Sequence, residues 1–170
     1  SGSLDENKKM QLYEVIYDDS LWLINLVENL LSVTRIEDGK MNLHLETELI
    51  EEVINEALNH ISHKKDEHRI EVKANDEFIL AKIDAGLIIQ VIINIVDNAI
   101  KYTPKGSMIS IETFKHKDFV EIQIADDGAG ISDKDKEKLF EMFYTVKHEV
   151  IDGRRGLGLG LALCKAIIVA

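Results

Sequence analysis

The chain has 170 residues, 45% of them hydrophobic and 30% charged, which is typical of a folded globular protein. Its formal net charge of -11 argues against nucleic acid as the main partner, because no basic patch would easily outweigh that charge. The single Cys164 excludes an internal disulfide, and no apolar run approaches the ~20 residues that span a bilayer.

The first predicted element is a long helix from about residue 4 to residue 38, which contains no glycine or proline and is ended by Gly39. Its apolar residues lie on more than one face, along two strips: Ile16, Leu23, Val27 and Leu30, and then Tyr13, Ile24 and Leu31. Because a helix that is apolar on several faces needs several packing partners, the pattern favours one helix of a bundle. A connector helix is the alternative.

The rest of the chain alternates between short strands and amphipathic helices. Strands are predicted at residues 41–46, 69–73, 79–83, 108–114 and 119–125, and helices at 49–63, 84–102, 133–142 and 158–170. Asp84 and Ser132 are expected to cap the second and third of these helices. The last two strands alternate with period two, which predicts an antiparallel hairpin with one buried face.

The helix after Asp84 has a core stripe and an unusual polar face. The stripe is predicted to contain Ile88, Val91, Ile92, Ile95, Ala99 and Ile100. On the polar face, Asn94, Asn98 and Lys101 stack over about two helical turns. A solvated face normally uses Glu, Lys, Gln and Arg, which keep helix propensity better than asparagine does. Because Mg²⁺ takes one or two hard protein oxygens plus phosphate oxygens, Asn98 is a predicted metal ligand and Lys101 a predicted phosphate contact.

Glycine is concentrated late in the chain, where six of the ten glycines lie between residues 126 and 160. Two glycine loops, residues 126–130 and 156–160, flank a polar segment. Glycine serves where φ is positive or where the backbone must approach a ligand closely. The two loops therefore indicate an anion-binding site that the segment between them closes over. Two tight turns around a surface loop are the alternative. The second loop also opens a helix, and a helix start favours phosphate.

Asp126 ends the strand that precedes the first glycine loop. Strand parity predicts that it shares the buried side with Val120, Ile122 and Ile124. An inward carboxylate needs a partner, and an exocyclic amine such as adenine N6 would supply one. The alternative is a carboxylate that caps its own turn through backbone amides.

Together these motifs resemble the ATP-binding domain of sensor histidine kinases of two-component systems, which is of the GHKL or Bergerat type. Four boxes carry the resemblance, in the family's order: residues 94–103 (NIVDNAIKYT) as the N box, Asp126-x-Gly128-x-Gly130 as the first glycine box, Phe140 with Phe143 and Tyr144 as the F box, and residues 156–161 as the second glycine box. Within the family, residues 98–104 and the Phe143-Tyr144 pair most resemble the sensor kinases of Kdp potassium-uptake systems.

The resemblance implies an α+β fold. The expected architecture is a two-layer α/β sandwich of the Bergerat type, with a mixed, mostly antiparallel sheet and helices on one face. Residues 1–38 would be the second helix of a dimerisation and phosphoacceptor bundle whose first helix is absent. Residues 39–170 would form the ATP-binding catalytic domain, with a lid at about 132–157 and a closing strand expected beyond the last residue.

The resemblance also implies roles for individual residues. Asn98 would hold Mg²⁺, Asn94 would assist it on the phosphate side, and Lys101 would contact phosphate, so these three are the expected catalytic residues. Tyr102 would pack by the adenine or ribose, and Asp126 would accept from adenine N6. The other expected ATP contacts belong to the glycine boxes, the F box and the lid: Gly128, Gly130, Ile131, Phe140, Phe143, Arg154, Arg155, Gly156, Leu157, Gly158, Leu159, Gly160 and Leu161.

The implied activity is that of an ATP-dependent protein-histidine kinase, which acts in the cytoplasm as part of a homodimeric, membrane-bound parent and serves a response regulator. None of the six histidines stands on a first bundle helix beside an acidic residue, and His148-Glu149 lies in the lid, so self-phosphorylation is not expected. One alternative is an ATPase of the same fold, although such enzymes carry a glutamate general base where Asn94 stands. The other is a non-catalytic nucleotide-sensing or dimerisation module.

Overall fold

The structure, a computed structural model, describes residues 5–37, 43–61, 67–74, 78–146 and 158–170. The chain divides into two compact units, Ser1–Met41 and Asn42–Ala170. In the first unit, helix α1 spans Glu6–Glu37, close to its predicted bounds. Apolar side chains of both predicted strips are exposed on it, namely Tyr13, Ile16, Leu23, Ile24, Val27, Leu30 and Leu31. The assignment of α1 to a bundle stays a prediction.

The second unit contains two small sheets. Strands β1 (Glu46–Leu49) and β3 (Leu80–Ile83) pair antiparallel. Strand β4 (Met108–Lys115) pairs in parallel with β2 (Arg69–Ala74) and antiparallel with β5 (Val120–Asp126). The strand predicted at residues 41–46 was wrong in its bounds: β1 begins where that range ends, and residues 38–42 lie outside the described part of the chain.

Helix α2 (Ile50–His60) supplies one wall of the core. Ile50, Val53, Ile54 and Ala57 are buried at three- and four-residue spacing, as the apolar pattern predicts. Glu51 and Glu52 occupy its first turn, where carboxylates favour the helix dipole. The helix ends three residues before its predicted limit, ahead of the buried Ile61.

Helix α3 (Ala85–Tyr102) is the central helix of the second unit and packs against α2, β5 and the last helix. Its predicted cap is confirmed: Leu87 N donates to Asp84 Oδ1 at 3.3 Å, and His44 N donates to Asp84 Oδ2 at 3.0 Å. Its most deeply buried residue is Val96, which the predicted core stripe omitted in favour of Ile95. The stripe is wider than predicted because α3 packs against a strand as well as two helices.

By length and composition, α3 would also pass as a membrane-crossing helix, with 18 residues and a mean hydropathy of 1.3. Its buried residues Val91, Ile92, Val96 and Ala99 instead pack inside the second unit. We therefore interpret its apolar character as that of a core helix.

The β4–β5 hairpin confirms the predicted one-sided burial. Ile109, Ile111 and Thr113 are buried on β4, and their β5 partners are Asp126, Ile124 and Ile122. Asp127 closes the open end of the hairpin, because its N–H donates to Met108 O at 3.2 Å and its Oδ1 accepts from Met108 N at 3.0 Å.

The last two helices are shorter than predicted. Helix α4 covers only Asp133–Lys136, although Ser132 caps it as expected by accepting from Asp135 N at 3.2 Å. After α4, hydrogen bonds between residues i and i−3, such as Glu141 N to Lys138 O, replace the i to i−4 bonds of an α-helix. The predicted extension of the helix to residue 142 was therefore wrong. Helix α5 (Gly160–Val169) begins two residues later than expected and packs on α3.

Candidate nucleotide site

The polar face of α3 contains the three residues that the sequence singled out as catalytic. Asn94, Asn98 and Lys101 are all half-buried. The Lys101 ammonium lies 5.5 Å from the ring centroid of Tyr102, within the range of a cation–π contact. This face is therefore partly covered by its own domain and is not a solvated helix surface.

Asn94 lies against the second glycine loop. A Cβ added at Gly160 would be 3.3 Å from Asn94 Oδ1, which is tighter than an ordinary contact. One turn further along α5, the Cys164 thiol lies 3.8 Å from Val91 O on α3. Asn94 Nδ2 is buried and makes no hydrogen bond of ordinary geometry with the described residues; its neighbour is the Cys164 sulfur, a weak acceptor. A buried N–H with so weak a partner favours a ligand that brings a stronger acceptor, and a phosphate oxygen is such an acceptor.

Gly158, in the same loop, is enclosed by backbone atoms. Its φ is +70°, and an added Cβ would overlap Tyr144 O and lie 2.7 Å from Phe143 C. The Phe143 N–H donates to Gly158 O at 3.0 Å, and Phe143 itself has a φ of +64°. Gly158 of the second loop is thus hydrogen-bonded to the end of the F box.

The first glycine loop is organised by Asp126. Gly128 N donates to Asp126 Oδ1 at 2.9 Å, so the carboxylate caps its own turn. The expectation that Asp126 is carried inward was wrong about its burial: Asp126 faces the same side as the buried Ile109 but is exposed at the end of the strand. Desolvation therefore does not force this carboxylate to find a partner. Oδ2 accepts no hydrogen bond from the described residues, which leaves it available to a donor on a ligand.

Gly128 joins this first loop to the end of α3. A Cβ added there would lie 2.7 Å from Asp126 Oδ1 and 2.8 Å from Thr103 Cγ2, too close for any real side chain. Gly130 differs, because its φ is +75° but its surroundings are open. The two glycines are therefore needed for different reasons, contact at Gly128 and backbone conformation at Gly130.

An open depression of about 540 Å³ lies beside this corner. Its lining comes from the end of α3, the following turn and the first glycine loop: Tyr102, Pro104, Lys105, Gly106, Ser107, Asp127, Gly128 and Ala129. Of the predicted site residues, the depression contains Tyr102 and Gly128, whereas Asn94, Asn98 and Lys101 do not line it. In the described part of the chain, the predicted residues thus fall into two groups: those that line the depression, and those on the polar face of α3.

Burial changes the electrostatics of α3. It raises the pKa of Asp97 from 3.8 to about 6, although the neighbouring Lys101 ammonium partly opposes the change. Burial also raises the pKa of the Tyr102 phenol above its ordinary value. No cluster of three or more His, Cys, Asp or Glu side chains suited to a metal occurs among the described residues. Any metal here would rely on few protein ligands.

The F box and the remaining predicted ATP contacts are less well placed to bind a nucleotide. Phe140 and Phe143, the expected ATP contacts of the F box, have side chains that are 48% and 67% exposed. Lys165 lies 5.8 Å from the Phe140 ring, and Tyr144 Oη donates to Asp135 Oδ1 at 2.7 Å. Ile131 is exposed, Leu161 is half-buried, and Leu159 is buried, so a ligand could meet Leu159 only at its backbone. Arg154, Arg155, Gly156 and Leu157 lie outside the described residues.

Sequence reasoning missed some residues that shape this region. Thr103, 3% exposed, packs behind Gly128, and His68 Nε2 lies 3.1 Å from Thr103 Oγ1. Cys164 was considered only because a single cysteine excludes an internal disulfide, although it contacts α3 beside Asn94. A threonine directly after a helix was a usable signal, because its hydroxyl can bond the last turn. The His68 and Cys164 contacts depend on tertiary packing and had no local signal.

Comparison with known proteins agrees with this geometry. Residues 83–170 match the family described as "Histidine kinase-, DNA gyrase B-, and HSP90-like ATPase". The chain is 43% identical to sensor protein KdpD of Clostridium acetobutylicum over 167 residues, which cover 98% of this chain and 19% of KdpD. It is 30% identical to sensor histidine kinase WalK of Bacillus subtilis over 171 residues, covering 97% of this chain and 28% of WalK.

Solved structures show the same fold. The histidine kinase AdeS of Acinetobacter baumannii matches with a TM-score of 0.72 and 26% identity, covering 99% of this chain and 75% of that chain. The predicted resemblance, including its narrower Kdp-type form, is confirmed, and so is the α+β sandwich of the Bergerat type. The chain spans less than a third of the length of either sensor protein.

Proposed function

We propose that this chain, which belongs to the family of histidine kinase-, DNA gyrase B- and HSP90-like ATPases, is the ATP-binding catalytic part of a sensor histidine kinase. The γ-phosphoryl group of ATP would go to a histidine outside this sequence and then to a response regulator. A homodimeric parent of the Kdp type, anchored in a bacterial membrane with this part in the cytoplasm, would be consistent with the similarity to KdpD. Residues 1–38 would be the second bundle helix, and 39–170 the catalytic domain.

One observation carries the proposal: a single helix, α3, contacts both glycine loops. Asn94 meets Gly160 in the second loop, and Thr103, directly after the helix, meets Gly128 in the first. Nine residues separate these contacts, which corresponds to about 13 Å of helix. That length suits a nucleoside triphosphate lying along α3, with its base at the first loop and its phosphates at the second.

The chain's own residues would bind and orient the nucleotide. Asp126 Oδ2 would accept from the base, and Tyr102 would lie beside the base or ribose. At the other end, the buried Asn94 Nδ2, which has only the weakly accepting Cys164 sulfur beside it, and the amides that open α5 would donate to phosphate oxygens. Lys101 would add a positive charge on the same helix face. Phosphoryl transfer depends mainly on such positioning and charge neutralisation, so these groups account for the binding part of catalysis.

Mg²⁺ fits the donor set as a ligand shared with ATP. The described residues offer no acidic cluster, but Asn98 presents a hard amide oxygen one turn beyond Asn94. When bound, the ion would neutralise phosphate charge. Among the described residues its protein ligand would be Asn98, so metal affinity should depend strongly on the presence of the nucleotide.

An ATPase would need a general base near the γ-phosphate. An amide cannot take that proton, so Asn94 does not serve. Asp97 is the carboxylate between the two asparagines, and its pKa of about 6 would suit a base, but its three-residue offset from Asn94 turns it away from the Asn94–Asn98 line. We expect no steady ATP hydrolysis by this chain. Steady hydrolysis that disappears in Asp97→Asn would favour the ATPase instead.

The reaction is tested with labelled ATP. The chain is mixed with [γ-³²P]ATP and a helical bundle that carries the proposed phosphoacceptor histidine. We expect label on the bundle that is acid-labile and base-stable, the behaviour of a phosphohistidine. Label that resists acid, or no label while ATP remains bound, would contradict the proposed reaction.

The metal assignment is tested by Asn98→Ala, since Asn98 lies off the core stripe. We expect the substitution to abolish measurable MgATP binding while the thermal unfolding midpoint stays close to that of the wild type. Asn55→Ala, a matched change on the exposed face of α2, should leave binding unchanged. Calorimetric titration that finds wild-type MgATP affinity in Asn98→Ala would refute the assignment.

A further inference from the structure

His68 precedes β2 and reaches the end of α3. Its Nε2 lies 3.1 Å from Thr103 Oγ1, although 35 residues separate the two along the chain. The Thr103 hydroxyl also bonds to Ala99 O, at 2.7 Å, and Thr103 is almost fully buried. His68, Thr103 and Ala99 therefore form a short hydrogen-bonded chain that ends on the last turn of α3.

The chemistry of the three groups determines the direction of both hydrogen bonds, from His68 to Thr103 and from Thr103 to Ala99. A carbonyl only accepts, so the single Thr103 hydroxyl proton is donated to Ala99 O. Thr103 Oγ1 must then accept from His68, which requires a proton on Nε2. His68 Nδ1 is buried and has no partner among the described residues. A buried nitrogen without a partner is better accommodated as an acceptor than as an unpaired N–H donor, which indicates the neutral Nε2–H tautomer.

The other branch of Thr103 points at the first glycine loop. Thr103 Cγ2 is 2.8 Å from the position that a Cβ at Gly128 would occupy. Threonine has one hydroxyl and one methyl on the same carbon, so a hydroxyl held by two hydrogen bonds also determines where the methyl lies. The methyl in turn limits how close Gly128 and the Asp126 carboxylate that it bonds can approach α3.

We propose that His68 is a positioning residue for the base-binding side of the nucleotide site, acting through Thr103 on the loop of residues 126–130. The role rests on the proposed function, because that loop is where the base would bind. Without the Nε2–H donor, the Thr103 hydroxyl would keep only its hydrogen bond to Ala99 O, so the rotamer that places the methyl against Gly128 would be held less firmly. His68 does not touch the nucleotide.

Two substitutions separate donation from space-filling. His68→Leu fills the volume without a donor, and His68→Gln restores an amide N–H that reaches about as far as Nε2. We expect His68→Leu to weaken ATP binding about five- to tenfold, the effect of one buried hydrogen bond. His68→Gln should recover most of that loss. His60→Leu, a matched change at an exposed position of α2, should bind ATP like the wild type.

The role of His68 is tested by ¹H–¹⁵N NMR on the 170-residue chain, first without nucleotide. Long-range imidazole correlations should show His68 with a protonated Nε2 and an unprotonated Nδ1. The Gly128 amide should shift in His68→Leu, return towards its wild-type position in His68→Gln, and remain in place in His60→Leu. A protonated Nδ1 in the wild type, or a Gly128 amide unmoved in His68→Leu, would overturn the proposal.

Titration with ATP then separates the two claims. A wild-type chain that binds no ATP overturns the proposed function, whatever the tautomer of His68. Wild-type binding together with unchanged affinity in His68→Leu overturns only the role of His68.

Discussion

Gly128 in the first glycine loop and Gly158 in the second require glycine for different physical reasons. In the first loop, Gly128 has no positive φ and is confined by side chains, Asp126 Oδ1 and Thr103 Cγ2. In the second loop, Gly158 combines a φ of +70° with close contact to the backbone of residues 143–144. A side chain can rotate or be shortened, whereas a backbone carbonyl cannot move without displacing its strand or turn. The first loop should therefore tolerate compensated substitution, and the second should not.

The largest effect is expected from Gly158→Ala. A left-handed conformation costs an alanine about 1–2 kcal/mol, and the overlap with Tyr144 O adds a packing cost of about 1–3 kcal/mol. We predict a loss of about 2–5 kcal/mol in the free energy of unfolding, measured in urea. A loss below about 0.5 kcal/mol would mean that the loop moves freely, and the contrast with Gly128 would disappear.

The burial of α3 between its two loop contacts is tested through the pKa of Asp97. Its pKa is 3.8 without burial and about 6 in the fold, so the folded state binds more protons than the unfolded state between those pH values. The wild type should therefore lose stability as pH rises from about 4 to about 6, by at most about 3 kcal/mol. Asp97→Asn cannot ionise and should lack this loss.

The measurement is the difference in unfolding free energy between Asp97→Asn and the wild type at pH 4.5 and pH 7.5. We expect the unfolding free energy of Asp97→Asn, relative to that of the wild type, to be larger at pH 7.5 than at pH 4.5. A difference that does not change with pH would show that Asp97 is solvated, and that α3 is less enclosed between the loops than the structure indicates.

Gly128→Ala should cost about 1–3 kcal/mol through overlap with the two side chains. Thr103→Ser removes the obstructing methyl and keeps the hydroxyl that bonds Ala99. The double variant should therefore be more stable than the sum of the single changes predicts, by about 0.5–1 kcal/mol in a double-mutant cycle. Strict additivity would mean that Thr103 does not confine Gly128.

Gly130→Ala is the smallest change and isolates backbone conformation. An added Cβ has open surroundings, so only the φ of +75° opposes it. We predict a loss of about 1 kcal/mol in unfolding free energy, without any coupling to Thr103→Ser. A coupling as large as that of Gly128 would show that the loop responds as one rigid unit.

Much of this fold was predictable because its signals are local. The α2 core face, the Asp84 cap and the alternating hairpin each depend on residues within one element, and all three are confirmed. The bounds of β1 and α4 were not predictable, since neither a four-residue strand nor a four-residue helix shows a full period of its pattern. Val96 was missed because its burial depends on residues distant in sequence, those of α2 and Ile111 of β4.

The site was predicted as a set of residue types rather than as an arrangement. The spacing of Asn94, Asn98 and Lys101 was sufficient to place them on one helix face. The exposure of Asp126 was not predictable, because parity gives the side of a strand but not how far the sheet extends over it. The contact of His68 with Thr103 joins residues 35 apart and could come only from the tertiary fold.

The central claim is that one nucleotide bridges the two glycine loops along α3, and amide NMR tests it most directly. Saturating MgATP should shift the amides of Gly128 and Gly130 in the first loop, and of Gly158 and Gly160 in the second, with a single dissociation constant. Adenosine should shift only the first pair, and tripolyphosphate with Mg²⁺ only the second. MgATP that shifts one loop and leaves the other unchanged, or that shifts neither, would contradict the account.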